Sequence, residues 1–167
     1  MHEIGNEDEA RQILYWVRAS PRDYDYARPQ CVTQEEAPEG WEYVGTGSFR
    51  SVWLSPTGVA YKVEHGSKYS HQSEEEATNL NRAWSKGAPE GCRLPKWQRF
   101  VVDEDETIIA IELIRGVTLY EYSGDIPHDE LYDRLSRCET HFKLYDLHDS
   151  NVIIDEDGYL VPVDLGN

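Results

Sequence analysis

Residues 41–48, 51–55 and 59–65 are three strand-length runs separated by connections of only two or three residues, Phe49-Arg50 and Pro56-Thr57-Gly58. Pro56-Thr57-Gly58, between the last two, is a compact turn signal. This part of the chain therefore reads as a series of short strand candidates joined by tight turns. Residues 97–103 and 106–114 form a further strand pair across an acidic turn, which brings the strand candidates before residue 115 to five. In the third run, Val59 and Tyr61 share one face, and Ala60 and Lys62 the other.

The helical segments lie around this meander. Residues 6–19 carry Asn6 as a cap, Glu9 at the capping-box position, and Ala10, Ile13, Leu14 and Val17 on one face. Residues 20–40, with Pro21, Pro29 and Pro38, read as a connecting loop. Residues 71–86 are polar and free of Gly and Pro, which predicts a helix, and residues 128–143 align Leu131, Leu135, Cys138 and Phe142 on one stripe. The chain closes on Val152-Ile153-Ile154, a turn over 155–158, and Tyr159-Leu160-Val161, a hairpin pattern. The order is helix, three strands, helix, two strands, helix, hairpin, which is an α+β arrangement.

The 167 residues suffice for one domain or two small lobes. With 32 acidic residues against 16 basic, the net charge is −16. Such a surface repels the phosphate backbone, which argues against direct nucleic-acid binding. A site for an anionic nucleotide would have to be a local basic pocket, assisted by a divalent cation. The same acidity suits a protein that occupies a basic surface on another protein. No apolar run approaches membrane-spanning length, and Met1 to Glu9 lacks a secretory pattern, so a cytoplasmic protein is expected. Cys31, Cys92 and Cys138 are odd in number and widely spaced, which argues against a zinc site or a disulfide framework.

Five local patterns carry chemistry. Gly45-Thr46-Gly47-Ser48-Phe49-Arg50-Ser51-Val52 is a glycine-rich turn whose amides can approach a phosphate closely. Lys62, on a strand, needs an anion if it faces inward, and Ala60 beside it leaves room for a flat ligand. On the helix from Ser73 to Lys86, a 100° wheel puts Ser73, Glu76, Ala77, Leu80, Ala83 and Trp84 on one face and leaves Glu74 and Glu75 outside it. Glu76 is then the glutamate that needs a partner, and Lys62 is the natural one. In the loop Tyr145–Asn151, Asp146 can orient or deprotonate a hydroxyl, and Asn151 can offer an amide oxygen to Mg²⁺. Asp164-Leu165-Gly166 ends the final strand with a second oxygen donor.

Each pattern is modest alone, but their order resembles that of the protein-kinase-like superfamily over residues 41–167. The resemblance implies an antiparallel five-stranded N-lobe sheet with an αC-type helix over about 41–115. A truncated C-lobe of helix, catalytic loop and β-hairpin would follow over about 116–167, with residues 1–40 as an N-terminal extension. It implies ATP and Mg²⁺ as ligands. Asp146 is then the catalytic aspartate, Lys62 holds the α- and β-phosphates and pairs with Glu76, and Asn151 and Asp164 bind the metal. Gly45, Thr46, Gly47, Ser48 and Val52 cover the phosphates. Ile111–Gly116 resembles a hinge that meets adenine through Glu112 and Ile114, and His148 stands where Ser/Thr kinases carry a lysine at the nucleotide.

The departures are specific. Arg50 replaces a third glycine and either contacts phosphate or points away. Leu144 and Tyr145 replace the usual His-Arg, which removes the arginine that reads a phosphorylated activation segment. The string Asp146-Leu147-His148-x-x-Asn151 is closer to aminoglycoside and choline kinases, leaving a small-molecule acceptor open. Only Asn167 follows Gly166, so this chain resembles minimal effector kinases of pathogenic bacteria or phage-encoded kinase-like proteins, with the host cytoplasm as a setting. The N-terminal helix is expected to pack in place of large-lobe elements. The implied activity is ATP/Mg²⁺-dependent phosphotransfer to a hydroxyl on a protein. The alternatives are a catalytically weak or inactive scaffold that modulates a host or partner protein through its acidic surface, and nucleotidyl transfer from the same pocket.

Overall fold

The computed structural model describes residues 2–19, 36–47, 49–64, 71–103, 106–144 and 147–165. The chain is α+β and divides into two compact units, Met1–Glu74 with Lys96–Leu113, and Glu75–Pro95 with Ile114–Asn167. No helix among the described residues is long and apolar enough to cross a membrane.

The first unit contains strands β1 (Glu42–Thr46), β2 (Arg50–Leu54), β3 (Val59–Glu64), β4 (Trp97–Val102) and β5 (Glu106–Glu112). They form one antiparallel sheet in the order β1-β2-β3-β5-β4. Short connections join β1 to β2, β2 to β3 and β4 to β5, while the β3–β5 pairing joins strands separated in sequence by α2 (Gln72–Lys86) and β4. The Pro56-Thr57-Gly58 turn is closed by Gly58 N–H to the Ser55 carbonyl at 2.9 Å. Central strands β3 and β5 are buried on both faces, over Ala60–Val63 and Thr107–Ile111.

Helix α1 (Glu7–Ala19) covers one of those faces. Ala10, Ile13, Leu14 and Val17 join Trp41, Trp53, Tyr61, Val63, Val102, Ile108 and Ala110 in one apolar core. Each such aliphatic side chain contributes about 1.5–3 kcal/mol relative to exposure. The helix expected to stand in for large-lobe elements is instead the second layer of the first unit. Asn6 caps it as read, its Oδ1 accepting Glu9 N–H at 2.8 Å. The Glu9 carboxylate does not close the capping box. It accepts the Tyr61 hydroxyl at 2.7 Å, while the same phenol oxygen accepts Asn6 N–H at 2.9 Å. A side chain at Gly5 would collide with that phenol, and its φ of +68° suits glycine.

Helix α2 (Gln72–Lys86) has its first residues in the first unit, where Ser73 N–H donates to Glu64 at 2.7 Å and Glu74 binds Arg99 and Thr107. From Glu75 onward it belongs to the second unit, with α3 (His128–Phe142), β6 (Gly116–Thr118), β7 (Val152–Asp155) and β8 (Leu160–Pro162). These strands form an antiparallel sheet in the order β6-β7-β8. Helix α3 buries Leu131, Leu135, Cys138 and Phe142, the expected stripe, and ends at Lys143 in the left-handed region. The β7–β8 turn is built on Asp155. Its Oδ1 accepts Asp157 and Tyr159 N–H at 3.1 and 2.8 Å, and its Oδ2 pairs with Arg93 Nε at 2.6 Å.

Candidate functional site

In the first unit, Lys62 sits in the middle of β3, between Val52 of β2 and Ile109 of β5. Strand alternation puts it on the face opposite Tyr61 and Val63, which face α1, and on the same face as buried Ala60. It is only 6% exposed. A buried ammonium is stable only with anionic or strongly polar company, so this lysine is not an ordinary solvated strand residue.

The glycine-rich turn joins β1 to β2. Gly45 pairs with Val52 and Thr46 with Ser51, with a bulge between Tyr43 and Gly45, and Gly47 N–H donates to the Arg50 carbonyl at 2.8 Å. Neither Gly45 nor Gly47 has a positive φ. Among the described residues a Cβ at Gly45 would meet nothing within 4 Å, and one at Gly47 only the Arg50 carbonyl at 3.9 Å. Neither backbone strain nor packing against the described residues explains these glycines. What they provide is open space beside the backbone. Arg50 is buried and lies opposite Glu64 in the β2–β3 register. Ser48 lies outside the described residues.

At the end of β5, Glu112 N–H donates to the Lys96 carbonyl at 2.8 Å, and the Glu112 carboxylate accepts Lys96 N–H at 3.0 Å. Leu113 follows and is exposed. Ile114 begins the next segment of the second unit and is buried.

In the second unit, Glu76 is fully buried on α2, at 0% exposure, and Ser73, Ala77, Leu80 and Ala83 are buried with it. Trp84, placed on the same face by the wheel, is partly exposed and donates its Nε1–H to the Pro95 carbonyl at 3.0 Å. Glu76 Oε1 accepts the backbone N–H of Leu165 at 3.4 Å. One turn on, Asn79 Nδ2 donates to the Leu165 carbonyl at 2.6 Å. Both polar groups of the Leu165 backbone are thus held by α2. On the other side of Asp164, Val163 N–H donates to the Asn151 carbonyl at 3.0 Å. Asp164 is consequently fixed between two backbone anchors, and Asn151 belongs to one of them. Asn79 was not singled out by its sequence; its only signal is its place three residues beyond Glu76 on the same helical face.

The loop before β7 is internally bonded. Asn151 Oδ1 accepts His148 N–H at 2.9 Å, and Asn151 N–H returns to the His148 carbonyl at 3.1 Å. Ser150 Oγ meets exposed His148 Nδ1 at 2.8 Å, and Tyr132 donates to Asp149 at 3.0 Å. Asp146 lies outside the described residues.

Among the described residues, no group of three or more His, Cys, Asp or Glu side chains converges as metal ligands. Asn151 and Asp164, linked through the Val163 backbone, carry an amide oxygen and a carboxylate. The Asn151 oxygen accepts the His148 N–H. Two oxygen donors suit Mg²⁺ held jointly by protein, water and substrate phosphates, and do not suit a closed protein cage. The residues present therefore fit that mode of binding. The structure joins Glu76, Asn151 and Asp164 through Val163 and Leu165 in one unit, and joins Gly45, Thr46, Gly47, Val52, Ala60 and Lys62 through β1–β3 in the other.

No model of a known protein family matches the chain, and no curated protein matches it.

Proposed function

We propose that the chain is a protein-kinase-like phosphotransferase that moves the γ-phosphoryl group of ATP, with Mg²⁺, to a hydroxyl on a protein. The observation that carries this reading is the double anchoring of Asp164, through Val163 to Asn151 and through Leu165 to Glu76 and Asn79. An aspartate whose two flanking residues are bonded to other parts of its unit has a preorganised backbone position, and preorganised charge is the main protein contribution to phosphoryl transfer. Buried Lys62 and the open glycine turn support the same reading from the first unit.

In this reading Lys62 binds the α- and β-phosphates and pairs with Glu76, while Gly45, Thr46, Gly47, Ser48 and Val52 cover the phosphates. Glu112 and Ile114 meet the adenine with their backbone, and Ala60 leaves space for the ring. His148 lies beside the nucleotide. Asp146 takes the proton of the acceptor hydroxyl as its oxygen attacks the γ-phosphorus, and ADP departs. Asn151 and Asp164 hold Mg²⁺, which when bound offsets the charge on the phosphates. Incubation with γ-labelled ATP and Mg²⁺ tests the reading: label should reach protein, and Asp146→Ala and Asp164→Ala should abolish transfer.

The net charge of −16 favours a second reading, a kinase-like scaffold that binds a basic partner without chemistry. A partner captured equally by wild type and by the Lys62→Ala, Asp164→Ala double variant would favour the scaffold over the enzyme.

A further inference from the structure

The second unit is assembled from two chain segments, Glu75–Pro95 and Ile114–Asn167, whose covalent connection runs through β4 and β5 of the first unit. Cys92 lies on the shorter segment and Cys138 on α3 of the longer one. Their sulfurs are 2.8 Å apart, with the Cys138 thiol donating to Cys92 Sγ. The two residues are 46 positions apart, so no local spacing announces the pair.

The backbone holds both sulfurs in place. Around Cys92, Leu160 N–H donates to the Gly91 carbonyl and Arg93 N–H to the Leu160 carbonyl, each at 3.0 Å, so the segment is bonded to β8 on both sides of the cysteine. Cys138 is on the buried stripe of α3, one turn after Arg134, whose guanidinium donates to the Gly158 carbonyl at 2.9 Å. Cys92 is 7% exposed and Cys138 fully buried. Joining the sulfurs therefore requires only a small approach of groups already in contact. The hydrogen bond from Cys138, aided by Arg137 and Arg134, holds the Cys92 thiol below its ordinary pKa against the opposing effect of burial. The same contact and burial push Cys138 up. Cys92 is the thiolate former and Cys138 the resolving thiol.

We propose that Cys92 and Cys138 form a reversible disulfide that staples the two segments of the second unit together. A small peroxide supplies the oxidising equivalents. The Cys92 thiolate attacks one peroxide oxygen, the O–O bond breaks, and hydroxide leaves, giving a sulfenic acid at Cys92. The Cys138 sulfur then attacks Cys92 Sγ, the S–O bond breaks, and water leaves with the Cys138 proton. Overall two thiols and one peroxide give one disulfide and two waters. Thiol reductants reverse the bond. The staple is independent of phosphoryl transfer, and it ties together segments that otherwise cohere only non-covalently.

The test uses the full chain in native buffer, both unsubstituted and as Cys31→Ser, treated with hydrogen peroxide, blocked with a maleimide, and mapped by proteolysis and mass spectrometry. The expected product is a Cys92–Cys138 cross-linked peptide two hydrogens lighter than its parts, lost on treatment with dithiothreitol. The oxidised chain should melt roughly 5 °C or more above the reduced one. In Cys138→Ser, the arrested sulfenic acid at Cys92 should be trapped by dimedone. The proposal is overturned if both cysteines are recovered maleimide-blocked or singly oxidised without the cross-link, or if the cross-link forms only in denaturant.

Discussion

The carboxylate of Glu76 on α2 accepts the backbone N–H of Leu165, the residue that follows Asp164, at 3.4 Å. Both partners are buried. The glutamate therefore does two things at once: it is the acidic residue expected to face Lys62, and it fixes the position of the candidate metal-binding strand end. Replacing Glu76 with Ala should strand the Leu165 amide and cost about 1–3 kcal/mol. Glu76→Gln keeps an acceptor oxygen, so its denaturant midpoint should stay closer to wild type. Under the proposed function it should still lower phosphoryl transfer at least about tenfold, since the charge is gone. Urea melts alongside labelled-ATP assays separate the two roles.

Tyr61 ties the start of α1 to the sheet through Asn6 and Glu9. Tyr61→Phe removes both bonds with little change of shape and should cost about 1–3 kcal/mol. It should also change the response to alkali. Burial, and then the hydrogen bond to Glu9, push the Tyr61 phenol well above the usual tyrosine value of about 10. Below that usual value both folded and unfolded chains hold the proton, and the contribution is complete. Above it the unfolded chain releases its proton first, so stability falls as pH rises. Melting points measured between about pH 9 and pH 11 should decline less steeply for Tyr61→Phe than for wild type.

The β7–β8 turn depends on a single side chain. Asp155 accepts two backbone N–H groups and pairs with Arg93, and its carboxylate is almost entirely buried. Asp155→Ala leaves all three donors without their acceptor and should destabilise the chain by about 3–5 kcal/mol. Asp155→Asn retains one acceptor oxygen and should cost less. Equilibrium urea unfolding gives the ranking.

Helix α1 is a structural layer, so its apolar face should govern solubility of the whole chain. Ile13→Ala, at a fully buried site, should cost about 2–5 kcal/mol. Deleting residues 1–19 should expose Trp53, Tyr61 and Val63 and give aggregated protein by light scattering.

Much of this was legible in the sequence because local rules and tertiary packing agree. The strand runs follow from their turn signals, the α1 and α3 faces from helical period, and Glu76 from the same wheel that excludes Glu74 and Glu75. Other features depend on partners far along the chain. Strand β6 is three residues long, and pairing with β7 decides its conformation. Glu9 matches a capping box, but Tyr61, 52 residues away, offers its carboxylate a better partner. Asn79 looks like a surface asparagine until Leu165 is in view. Cys92 and Cys138 have no readable spacing because two separate segments bring them together.

The central claim is phosphoryl transfer from ATP, and the most direct measurement is label transfer from γ-labelled ATP in the presence of Mg²⁺. Wild type, Lys62→Ala and Asp164→Ala would be compared, each checked for folding by its urea midpoint. Labelling of a protein hydroxyl by wild type, lost in both folded variants and on chelation of Mg²⁺, is the predicted result. Absence of transfer by folded wild type to itself or to any protein of a cell lysate, or transfer that survives both substitutions, would contradict it.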